Sequence, residues 1–117
     1  MFQKMLQGGG GASSFQFSTE EQKTNLKWID GKDIYVKTFE ITDSTKSITL
    51  PTDIDKIINY EGMRYWNASN VNGYRIPYYV SGTDFVTIYF DNGNLNIIKG
   101  NSSKITEAYV NVYYTKK

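Results

Sequence analysis

Hydrophobic and polar positions take up a period of two from Ile34 onward. In "DIYVKTFEI", Ile34, Val36, Thr38 and Glu40 share one face, and Tyr35, Lys37, Phe39 and Ile41 share the other. Such alternation predicts a β-strand, and apolar residues on both faces predict one face packed inward and one against a neighbour. Thr42 to Lys46 is polar enough for a turn. Ser47 to Pro51 reads as a short strand closed by proline, which suits a sheet edge. Asp55 to Trp66 reads as one long strand, in which Ile57, Asn59, Glu61 and Met63 alternate with Ile58, Tyr60, Gly62 and Arg64. A glycine in mid-strand, Gly62, predicts a bulge or a close backbone approach. Asn67 to Gly73 has loop composition, and Tyr74 to Val80 reads as a strand with Pro77 marking an edge or a break. Asp91-Asn92-Gly93-Asn94 separates two apolar runs, and Asn-Gly in that setting is the strongest short-range hairpin signal. The last strand sets Ala108, Val110, Val112 and Tyr114 against Tyr109, Asn111, Tyr113 and Thr115. About six or seven short strands with hairpin-length links predict an all-β fold, an antiparallel β-sandwich.

The first third lacks this rhythm. Met1, Phe2, Met5 and Leu6 precede four consecutive glycines, Gly8 to Gly11. A run of glycines is linker material, and Gly8 to Ser14 extended reaches roughly 25 Å at about 3.3–3.6 Å per residue. Residues 1–16 therefore read as an apolar anchor on a flexible tether, and residues 17–117 as the sandwich. Ser18 or Thr19 ahead of Glu20, Glu21 and Gln22 has the form of a capping box, predicting a short helix or a turn.

Composition narrows the function classes. The 117 residues carry 13 basic and 12 acidic side chains, a net charge of +1. No basic stripe is present of the kind nucleic-acid binders use. Without cysteine there is no disulfide or thiolate chemistry, and without histidine the commonest general base and zinc ligand are missing. The start of the chain is too short and too polar for a signal peptide, so synthesis in a cytoplasm without Sec export is expected. No stretch has the length and apolarity of a membrane span. Paired carboxylates alone can hydrolyse glycosides, but Asp30 with Asp33, Asp53 with Asp55 and Glu20 with Glu21 lie near turns, where backbone reasons explain them. No catalytic residue, metal ligand set or cofactor is expected.

Aromatic residues make up 15% of the chain, including ten tyrosines. "RYWNASNVNGYRIPYY" concentrates them around a polar loop, with Tyr65, Trp66, Asn67, Tyr74, Arg75 and Tyr78 as candidate ligand or receptor contacts. Trp, Tyr and Arg dominate binding hot spots. The same side chains would equally fill a sandwich or pack against a sister subunit.

The order of motifs adds a resemblance. "FSTEEQKTNLKWIDGKDIYVKTF", then "IDKIINYEGMRYW" with "RIPYY", then "NLNIIKGNSSKITEAYVNVYYTKK" resembles the C-terminal head domains of phage tail and tail-fibre proteins of Gram-positive hosts. The similarity runs from about Phe17 to Lys117, with Asp33 standing where those domains commonly have proline after Asp-Gly-Lys. It implies a jelly-roll-like β-sandwich head, a homotrimer, a place in the virion and binding to a host-surface carbohydrate or cell-wall polymer. On that expectation Trp28 and Ile29 form the base of the trimer, and Met1, Phe2, Met5 and Leu6 dock into other virion proteins. The alternative is a structural head fibre or decoration protein that binds no ligand.

Overall fold

The computed structural model describes residues 15–66 and 72–117. Among them the fold is all-β, without a helix. The strands are β1 (Gln22–Lys27), β2 (Asp33–Ile41), β3 (Ser47–Thr49), β4 (Ile54–Tyr65), β5 (Gly73–Ile76), β6 (Tyr78–Ser81), β7 (Asp84–Asp91), β8 (Asn94–Lys99) and β9 (Glu107–Lys116). They form an antiparallel β-sandwich of a five-stranded sheet, ordered β1-β2-β9-β4-β5, and a four-stranded sheet, ordered β3-β8-β7-β6. The chain divides into two contact units. The first comprises the described residues up to Thr38 with Asp53–Tyr60 and Asn111–Lys117; the second comprises Phe39–Thr52 and Glu61–Val110.

In the first unit, the Trp-Ile-Asp-Gly-Lys segment is the turn of the β1–β2 hairpin. Gly31 N–H donates to the Trp28 carbonyl at 2.9 Å, and Trp28 N–H donates to the Lys32 carbonyl at 2.9 Å. Gly31 sits at φ 86°, a left-handed conformation that side chains disfavour. The Asp30 carboxylate accepts from Lys32 N–H at 3.0 Å. Beyond the turn, Ile34, Val36 and Tyr113 form a buried cluster, against which Phe15, Leu26, Trp28 and Ile58 pack. Strand β1 is absent from the periodicity, because Gln-Lys-Thr-Asn-Leu-Lys holds one apolar residue. It is secured instead by buried Thr24, whose hydroxyl donates to the Ile34 carbonyl at 2.7 Å. Ser18 Oγ does accept from Glu20 N–H at 3.0 Å, yet no helix follows. The Ser18 carbonyl accepts from Thr38 N–H at 2.8 Å, tying the segment to β2.

The second unit holds the facing sheets, with β5 of one against β7 of the other. Phe39, Ile41, Ile76, Val86, Ile88, Leu95, Ile97, Ala108 and Val110 are buried there. Strand β2 thus buries Ile34 and Val36 from one face and Phe39 and Ile41 from the other, so both apolar faces are used within this chain. Gly62 marks a close approach, since a Cβ there would lie 2.9 Å from the Tyr109 carbonyl oxygen. The β7–β8 hairpin turns at Asn92 (φ 53°) and Gly93 (φ 75°), the left-handed pair that a two-residue turn needs. Tyr74 to Val80 is not one strand. β5 ends at Ile76 in one sheet and β6 starts at Tyr78 in the other, with a cis Ile76–Pro77 peptide at the crossing. Proline has no N–H to give a ladder, and the strand breaks where that donor is missing.

Candidate functional site

The aromatic-rich segment lies in the second unit, on the end of β4, on β5 and on β6. Register decides which side chains meet. Arg64 pairs with Tyr74, Tyr65 with Gly73 and Met63 with Arg75. Alternation then places Arg64, Trp66 and Tyr74 on one face of the sheet and Tyr65 and Arg75 on the other. The six-residue cluster expected from sequence is therefore split. Trp66, Tyr74 and Tyr78 come together; Tyr65 and Arg75 face away; Asn67 lies outside the described residues.

The three rings that meet form a column. Trp66 and Tyr74 have centroids 4.6 Å apart, tilted by 55°. Tyr74 and Tyr78 stack at 4.5 Å and 23°. Both faces of Tyr74 are thus occupied by protein. Tyr78 is held at its other end by Arg64, which sequence reasoning passed over. Arg64 is only 9% exposed. Its guanidinium donates to the Tyr78 hydroxyl at 2.5 Å and to the Lys104 carbonyl, and lies 4.0 Å from the Asp84 carboxylate. Tyr78 passes a hydrogen bond on to Asp84 at 3.4 Å, where Ser103 Oγ also donates at 2.8 Å. The guanidinium carbon sits 5.9 Å from the Tyr78 ring centroid, a cation–π contact. Arg64 Nε is buried without a protein partner. A buried charge is tolerable when it is paired and hydrogen-bonded, and this network supplies that pairing.

One position along β6 the geometry reverses. Tyr78 pairs with inward-facing Val86, while Tyr79 pairs with Phe85 on the outside. Tyr79 is 74% exposed. Its ring lies 6.1 Å from that of Phe85 at 30°. Pro77, Tyr78, Tyr79, Phe85 and Thr87 line an open groove of about 350 Å³. None of the five is charged. Sequence reading placed Tyr78 in the site, counted Tyr79 among the aromatics around the loop, and missed Phe85 and Thr87. Period two applied across "PYYV" alone would have separated the two tyrosines.

Of the acids weighed for catalysis, Asp33, Asp53, Asp55 and Glu21 are paired with lysines. Asp33 is held below the ordinary carboxylate range by the Lys27 hydrogen bond at 2.6 Å and by Lys23. Asp55 is held low by Lys32 at 2.9 Å, and Asp53 by Lys116 at 3.0 Å. A glycosidase acid needs the opposite shift. Among the described residues no group of three or more acidic side chains is placed to hold a metal.

The proposed trimer-base residues differ in state. Trp28 packs on its own unit's cluster, whereas Ile29, at the hairpin turn, is 90% exposed. The anchor residues Met1, Phe2, Met5 and Leu6 lie outside the described residues. Comparison with protein-family models, with curated proteins and with solved structures finds no match.

Proposed function

We propose that this chain is a recognition head of a bacteriophage virion, a homotrimeric fibre or tail-tip protein that binds a host-surface glycan or cell-wall polymer without cleaving it. The observation that carries the reading is the aromatic end of the second unit, where the Trp66–Tyr74–Tyr78 column is fixed by buried Arg64. Rigid aromatic surface beside polar loops is what a carbohydrate with one apolar face requires. The order of sequence motifs supports the virion context, and the paired, low-pKa aspartates support binding over hydrolysis. Residues 1–14 would hold the head to the particle.

The test is retention of the purified chain on cell walls of Gram-positive bacteria, with no release of reducing sugar. Binding that survives Trp66→Ala and every change around the groove would count against the reading. Sedimentation should give three times the 13.4 kDa chain mass; a stable single chain would remove the trimer.

Exposed Ile29 favours a second reading, a structural or decoration protein that binds no ligand. A nearly bare isoleucine at a turn tip is better suited to a protein contact than to a sugar. Loss of particle incorporation with Ile29→Asp, alongside no wall binding by the unaltered chain, would select it.

A further inference from the structure

The outward face of the four-stranded sheet departs from the rest of the surface. Register puts Tyr89 beside Asn96 and Asn96 beside Ser47, and Thr87 beside Ile98, with Tyr79 next to Phe85. None of these seven residues carries a charge, in a chain in which 21% of residues do. Among the described residues charge returns at the margins, at Asp91 in the hairpin, at Lys46 before β3 and at the Lys99–Asp43 ion pair beside Ile98. Strand β6 is also a sheet edge. Edges are commonly protected by lysine or proline along the strand; β6 instead shows solvent Tyr79 and Val80, both more than half exposed.

We propose that the groove of Pro77, Tyr78, Tyr79, Phe85 and Thr87 is a binding site for an uncharged hexopyranose, one or two rings of a neutral glycan. The proposal rests on the glycan-binding reading above and moves its contact from the column to the groove. In the column, both faces of Tyr74 and one face of Tyr78 are already covered by other rings. On the outside, Tyr79 and Phe85 present neighbouring rings at a shallow mutual angle. The negative faces of aromatic rings attract the polarised C–H bonds on the apolar side of a pyranose. The Thr87 and Tyr79 hydroxyls stand at the groove for the sugar's own hydroxyls. The absence of any charged lining selects against uronic acids and teichoic-type phosphates, which need cationic partners.

Size separates this from association of two copies through the same face. Four strands about 4.8 Å apart, over the five or six residues of the uncharged rows, cover roughly 400 Å². A stable protein interface needs about 800 Å² per partner. The groove volume of about 350 Å³ falls within the range of about 300–1,000 Å³ typical of small-ligand sites.

The experiment is saturation-transfer NMR on the full chain with methyl β-D-glucopyranoside, methyl β-D-galactopyranoside and glucuronate, with amide shift mapping. Neutral glycosides should bind and move amides near 78–80 and 85–87, and glucuronate should not. Tyr79→Ala and Phe85→Ala should each weaken binding about tenfold, within what a lost ring contact removes. Tyr79→Phe should retain binding, because the ring remains; it also serves as the control if Phe85→Ala disturbs the sheet. Glycoside binding lost with Trp66→Ala but kept with Tyr79→Ala overturns the groove and leaves the glycan reading standing. So does wall binding with no response to either neutral glycoside. Failure to bind both glycosides and walls overturns both. Self-association abolished by Tyr79→Ala, with no glycoside bound, assigns the face to a second copy and overturns the groove.

Discussion

Arg64 shows how much a single buried residue organises here. It ties β4 to Tyr78 of β6 and to the chain at Lys104. Its two terminal nitrogens donate in fixed directions, where a lysine has one nitrogen. Arg64→Lys should therefore lose at least one buried hydrogen bond and about 1–3 kcal/mol of stability. Arg64→Ala, which removes both charge-assisted hydrogen bonds, should lose about 3–6 kcal/mol. Urea unfolding followed by tryptophan fluorescence checks both, since Trp66 stands at the far end of the same column. Gly62→Ala tests a different constraint. Its methyl group would meet the Tyr109 carbonyl at 2.9 Å and the Val110 side chain at 3.0 Å, and overpacking of that kind costs about 1–3 kcal/mol. Gly62 was legible in the sequence as a close approach. Arg64 was not, because a charged residue on an alternating strand reads as solvent-facing until its partners, Tyr78, Asp84 and Lys104, are brought in from farther along the chain.

At the level of elements, local signals succeeded where the chain itself carries the constraint. The β7–β8 hairpin follows from Asn92-Gly93, whose φ angles are both positive. Gly93→Ala should cost about 1–2 kcal/mol for a left-handed residue with a side chain, read as a fall in Tm of several degrees. Elements set by distant partners were missed. β1 has too few apolar residues to show a period, and it exists because Thr24 and Leu26 meet Ile34 and the cluster around it. The capping-like Ser18 predicted a helix or turn and gave the turn, since the Ser18 carbonyl was needed by Thr38. Pro77 was read correctly as a possible break, but its consequence for the site was not. By ending β5 it sends Tyr78 to the other sheet, where the alternation starts afresh. Tyr65 and Arg75, a third of the expected contact cluster, face the other way because alternation along β4 and β5 sets them opposite to Arg64 and Tyr74.

For the whole molecule, the ion pairs set a pH window. Asp33, Asp43, Asp53 and Asp55 all have pKa values lowered from the ordinary 3.8. A lowered carboxylate pKa gives stability that is present above the unfolded value and lost as pH falls through the folded one. Acid unfolding should therefore begin below about pH 4. Tyr114 is raised by burial and by its 2.6 Å hydrogen bond to Glu21, and Lys116 is raised by Glu21 and Asp53. Raised values give stability that is full below the ordinary 10.0 and 10.5 and declines as pH climbs past them. The urea midpoint should be flat between these limits and fall on both sides, and Lys116→Met should flatten the alkaline side. An alkaline limb unchanged by that substitution would show that the lysine is not its source. One consequence follows from the uncharged outward sheet. A surface without ionised groups neither draws a partner from a distance nor loses it to salt. If the face takes the neutral glycan proposed above, each encounter would proceed at the unassisted rate. Firm attachment through it would then come from avidity, many copies engaging a dense lawn of identical targets at once.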